Sequence, residues 1–90
     1  MSMDSVIYRF KSAARRQGRN IAEIEVHAPR MRDLRTIEAS AGKAARIAAA
    51  IGTLTGLTRG EIGALHIDDV RGLSDVIATL FGHVHKISAS

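Results

Sequence analysis

Ninety residues, no cysteine and a net charge of +4 bound this chain before any motif is read. The length gives one small domain with a modest core, and the missing thiols exclude disulfide staples and thiolate metal centres. No apolar run approaches the roughly 20 residues of a membrane helix, and the start, MSMDSVIYRF, lacks the basic flank and long apolar run of a signal peptide.

The chain opens on Val6-Ile7-Tyr8-Arg9-Phe10, a β-branched and aromatic run that predicts a short strand. Lys11 to Asn20 is polar, basic and glycine-containing and predicts a loop, with Lys11, Arg15, Arg16 and Arg19 as its cations. Ile21 to His27 alternates, with Ala22, Ile24 and Val26 on one face and Glu23, Glu25 and His27 on the other, which is the pattern of a half-buried strand. The expectation over 6–27 is a long-looped β-hairpin. A lone hairpin is marginal in water, so it must pack on helices or on a neighbouring subunit.

Pro29 ends the second strand. Arg30 to Ala41 predicts a helix with Met31, Leu34, Ile37 and Ala41 near one face, Asp33 in the first turn and Gly42 as its stop, although no Ser, Thr, Asp or Asn directly follows the proline. Lys43 to Thr55 predicts a second helix through Ala44, Ile47, Ala48, Ile51 and Leu54. The next six residues hold a stop, a turn and a start. Gly56 suits a left-handed helix end; Thr58 and Glu61 have the spacing of a capping box, flanked by Leu57 and Ile62 as a hydrophobic staple.

A short third helix is expected from Arg59 to about His66, weakened by Gly60 and Gly63. Asp68 and Asp69 are read as caps of a fourth helix striped by Val70, Leu73, Ile77 and Leu80, widened by Val76 and Phe81, and stopped by Gly82. Residues 83–90 are expected to form a loose tail. The fold class that follows is α+β: an N-terminal β-hairpin (6–27) and a small array of about four helices (30–82) in one domain of 1–90.

Charge is unevenly spread. Residues 1–46 carry ten basic and five acidic groups, residues 47–90 three basic and four acidic. The cluster Lys11, Arg15, Arg16 and Arg19 suits an anionic surface, while a solvated basic loop is the plainer account.

Residues that would carry chemistry are missing. No carboxylate pair stands beside a histidine, no glycine-rich phosphate loop and no nucleophile elbow occurs, and His83-x-His85 lacks the further ligands a metal needs. His27 and His66 are single, without an evident partner. The chain is expected to be no enzyme and to use no cofactor and no metal. Ala44 to Leu65 can be laid on a helix-turn-helix, but the second helix would offer base edges little beyond Arg59 and His66, and most cations lie elsewhere. A small nucleic-acid-binding module is therefore the alternative function, with the weight against nucleic acid as a partner.

The order of segments resembles the phage tail assembly chaperone family of Mu-like and other contractile-tailed phages. The resemblance covers about residues 6–82. It rests on the alternating strand before Pro29, on Asp33-Leu34-Arg35, on Leu54-Thr55-Gly56-Leu57-Thr58 followed by Glu61-Ile62 and Leu65, and on the helix led by Asp68 and Asp69 that carries Leu73 and ends near Phe81-Gly82. The chain departs from the family's pattern at Arg30, where a capping threonine is common, and in its basic hairpin loop.

The resemblance implies an adaptor without catalysis. It would bind the long, helix-rich tape measure protein in the bacterial host cytoplasm before tail tube subunits polymerise, and be absent from the finished virion. It also implies a longer frameshifted form, of which this chain would be the short version, and self-association. An apolar groove for an amphipathic helix would serve that role. Leu57, Leu73, Val76, Ile77, Leu80 and Phe81 are the partner-binding candidates, with Val76 and Phe81 at the edge of the stripe favoured for contact and the others for the core.

Overall fold

The computed structural model describes the backbone of residues 5–89 and the side chains of residues 5–82. The elements run β1 (Ser5–Arg16), β2 (Arg19–His27), α1 (Met31–Glu38), α2 (Lys43–Thr55), α3 (Arg59–Gly63) and α4 (Ile67–Ala89). The two strands form an antiparallel pair, and four helices follow, so the arrangement is α+β.

The hairpin differs from expectation. Residues 11–20 are not a loop: Lys11, Arg15 and Arg16 lie on β1 and Arg19 opens β2, with only Gln17 and Gly18 between the strands. Both turn residues have positive φ, 52° and 78°, as a type I′ hairpin turn requires. Gln17 pays the steric penalty of a side chain in the left-handed region, about 1 kcal/mol.

The register is interrupted once. Arg9 pairs with Glu23 and Ala14 with Ile21, so residues 10–13 of β1 lie opposite Ala22 alone. This wide bulge turns the amides of Lys11 and Ser12 away from β2, and they need other acceptors.

The helices begin and end for local reasons. The start of α1 lacks an N-cap side chain, and Asp33 supplies half of a capping box: its carboxylate accepts the Arg30 amide at 2.8 Å. Gly56 ends α2 in the left-handed conformation with its amide on Gly52 O. Thr58 Oγ1 accepts the Glu61 amide at 3.1 Å while Glu61 Oε1 accepts the Thr58 amide at 2.9 Å, so the capping box forms in both directions. Leu57 and Ile62 of the staple are both buried.

Two expectations about the last helix are corrected. Neither Asp68 nor Asp69 caps it; His66 does, its Nδ1 accepting the Asp68 amide at 3.1 Å, and α3 ends at Gly63, short of His66. Nor does Gly82 stop it. Gly82 keeps a right-handed backbone, and α4 continues to Ala89 over the stretch where a loose tail was expected. The side chains of His83 and His85 lie outside the described residues.

The core sits between the inner face of the sheet and the helices. Tyr8, Ile24 and Val26 come from the strands, Ile51 and Leu54 from α2, and Leu73, Ile77 and Leu80 from α4. Each fully buried aliphatic side chain contributes about 1.5–3 kcal/mol by leaving water. The outer face of the sheet mixes the exposed Ile7 with polar residues, among them Arg9 and Glu23, which lie 3.7 Å apart in solvent, a pair worth little.

Candidate protein-binding site

Asp69 is fully buried and does the work of a distant partner to β1. Its Oδ1 accepts the Tyr8 hydroxyl at 2.8 Å and the Lys11 amide at 2.7 Å, and its Oδ2 accepts the Ser12 amide at 3.1 Å. One carboxylate thus satisfies both amides that the bulge releases. Burial pushes the Asp69 carboxyl up, but the Lys11 amide, the Tyr8 hydroxyl, the Ser12 amide and nearby His66 together hold it below the ordinary carboxylate range. The Tyr8 hydroxyl is pushed up to about 12 by burial, then by its bond to Asp69 and by the charges of Asp69 and Asp68.

Glu61 has a second duty as well. Besides capping α3 it accepts the Gln17 amide on Oε2 at 2.6 Å, tying the hairpin turn to the helices. The Thr58 amide first, then the Gln17 amide, hold its carboxyl below the ordinary range although partial desolvation pushes it up. His27 is also partnered: its Nε2 lies 3.1 Å from Thr53 O and joins the end of β2 to α2. Three polar contacts therefore clamp the hairpin on the helical array, and none offers a reacting group.

The six apolar candidates separate. Leu73, Ile77, Leu80 and Leu57 are buried in the core, Leu57 on the turn between α2 and α3 and the other three on α4. Val76 and Phe81 are half-buried, packed against the edge of that core. A mainly apolar hollow of about 190 Å³ lies between α2 and α4, lined by Arg46, Ile47, Ala50, Ser74, Ile77 and Ala78. A larger open cleft of about 650 Å³ lies over α2 with α1 and α3 as its walls. The sequence marks its alanines as helix formers that allow the close approach of a neighbour.

Of the basic candidates, Arg15, Arg16 and Arg19 gather at the hairpin tip, with Arg16 directly opposite Arg19, while Lys11 lies back in the bulge. All four are exposed. The Arg15 guanidinium donates to Gly18 O at 3.4 Å. The helix-turn-helix alternative meets a five-residue α3, little more than one turn, whose Glu61 is already engaged.

No group of three or more His, Cys, Asp or Glu among the described residues is placed to hold a metal ion. No helix among them is long and apolar enough to cross a membrane. What the surface offers is shape and apolar area, the means of binding another protein.

Comparison with known proteins gives the family. Neither the curated proteins nor the solved structures return a match. A family model described as "Phage tail assembly chaperone proteins, E, or 41 or 14" matches residues 11–82, from the bulge of β1 to Gly82 of α4. A match over most of the chain shows the family: this chain belongs to the phage tail assembly chaperones.

Proposed function

We propose that this chain acts without catalysis, by holding the helix-rich tape measure protein during tail assembly. The family match carries the reading. The half-buried Val76 and Phe81 at the core edge and the apolar hollow between α2 and α4 support it, because an amphipathic helix needs apolar surface on which to lay its apolar face. On this reading Val76 and Phe81 touch the client, Leu73, Ile77 and Leu80 seat α4 on the core, and Leu57 holds the turn between α2 and α3. The exposed cations of the hairpin tip, Arg15, Arg16 and Arg19, would meet acidic positions of the same client.

The reading places the chain in the host cytoplasm and keeps it out of the finished virion. Self-association and a longer frameshifted form belong to it as expectations. Co-expression with the tape measure protein tests it: the client should remain soluble with this chain and aggregate without it. A client equally soluble in both cases counts against the proposal.

A further inference from the structure

The second helix has a composition at odds with its surroundings. From Ala44 to Thr55 it carries one charge, Arg46, and a helix apolar all round is normally covered all round. Here only one side is covered, by Ala50, Ile51 and Leu54 in the core. The opposite side, with Ala44 and Ala45 exposed and Ala48, Ala49 and Gly52 half-exposed, forms the floor of the 650 Å³ cleft.

The cleft has the form of a trough. Thr36 of α1 and Ser40 just beyond its end stand on one side, and Leu57, Arg59 and Ile62 on the other. The small side chains of the floor let a second helix approach α2 at the short end of the usual 8–10 Å interaxial distance.

Charge says what kind of helix. None of the lining residues bears a carboxylate, and Arg59 stands on the α3 wall. Residues 30–46, which build the α1 wall and the start of the floor, carry five basic and two acidic groups. One of those two, Asp33, is buried on the Arg30 amide. Exposed Arg32 lies one turn before Thr36 on the wall, while Arg46, whose guanidinium donates to Ser40 O at 3.3 Å, lines the α2–α4 hollow on the other side of α2.

We propose that this cleft is a second docking surface, separate from the α4 edge of Val76 and Phe81, and that it takes an amphipathic helix of the client with an acidic flank. The proposal rests on the reading that the chain holds a helical client. It adds where that helix lies and what charge it carries.

Two variants test it against the tape measure protein, with binding measured at low and high salt and unfolding followed in parallel. Ala45→Phe fills the trough from an exposed position and should weaken binding about tenfold, the equivalent of about 1.4 kcal/mol, with unfolding unchanged. Arg59→Glu reverses the wall charge at the first residue of α3, where a carboxylate suits the helix dipole and the fold is kept. It should weaken binding at low salt and flatten the salt dependence. Wild-type affinity in both variants, with the wild type itself bound, overturns the cleft assignment and leaves the proposed function standing. Wild-type affinity in Arg59→Glu alone overturns the acidic flank. No binding by the wild type overturns both the cleft and the function.

Discussion

The Tyr8 hydroxyl meets Asp69 Oδ1 at 2.8 Å across 61 positions of sequence, at the point where β1 bulges away from β2. The same carboxylate takes the amides of Lys11 and Ser12. An irregularity in the strand and a charge on a helix are thereby one feature, and the seating of the hairpin depends on it.

Asp69→Ala should be the most damaging single polar substitution. It leaves three donors without their acceptor, at about 1–3 kcal/mol for each one left buried. A total loss of about 3 kcal/mol is a large part of the 5–15 kcal/mol typical of a small domain. Thermal unfolding by circular dichroism should show a fall of roughly 10–20 °C. Asp68→Ala, at an exposed neighbour, should stay within about 0.5 kcal/mol of the wild type. Equal effects at the two positions would return Asp69 to a capping role.

Stability should decline at both ends of the pH range. The Asp69 and Glu61 carboxyls lie below their ordinary values in the fold, so their contribution is present above about pH 4 and lost as pH falls through the folded values. Tyr8 lies above its ordinary value of 10.0, at about 12, so its contribution is complete below pH 10 and lost as pH rises from there towards 12. Urea midpoints against pH should show both declines, and Tyr8→Phe should remove the alkaline one. An unchanged alkaline decline in Tyr8→Phe would assign it to other groups.

Glycines in α4 should respond with opposite signs. A methyl group at Gly72 would stand 2.6 Å from Tyr8 Cε1, so Gly72→Ala should destabilise although alanine is the better helix former. At Gly82 the added methyl meets nothing within 4 Å, and Gly82→Ala should stabilise by about 1 kcal/mol. A stabilised Gly72→Ala would show that Tyr8 need not approach α4 so closely.

Phe81→Asp should separate binding from folding. Phe81 is half-buried at the core edge, so its loss should lower the melting temperature by only a few degrees and weaken client binding about tenfold or more. Leu73→Asp, at a fully buried position, should abolish folding and binding together. Parallel losses in Phe81→Asp would place that ring in the core.

Features encoded by near neighbours were legible in the sequence. Lys43–Thr55, the left-handed Gly56 and the Thr58–Glu61 capping box each depend on residues within one or two turns, and each forms as expected. The hairpin turn was not legible, because Gln17-Gly18 lacks the Asn-Gly or Asp-Gly signal and the surrounding lysine and arginines resemble a loop. Asp69 was misread for a different reason. Aspartate at a helix start is ordinarily a cap, and its real partners lie 57 to 61 positions away. The adjacent pair Asp68-Asp69 held a trace of it, since one cap needs one side chain. The candidate surface was legible as a stripe, but burial alone divides Leu73, Ile77 and Leu80 from Val76 and Phe81.

The most direct test is a pull-down of the tape measure protein by this chain, washed in high salt. Helix docking on apolar surfaces should survive the wash and keep the client on the chain. Loss of the client, with salt-sensitive capture of nucleic acid in its place, would contradict the account and move the function to the basic hairpin tip.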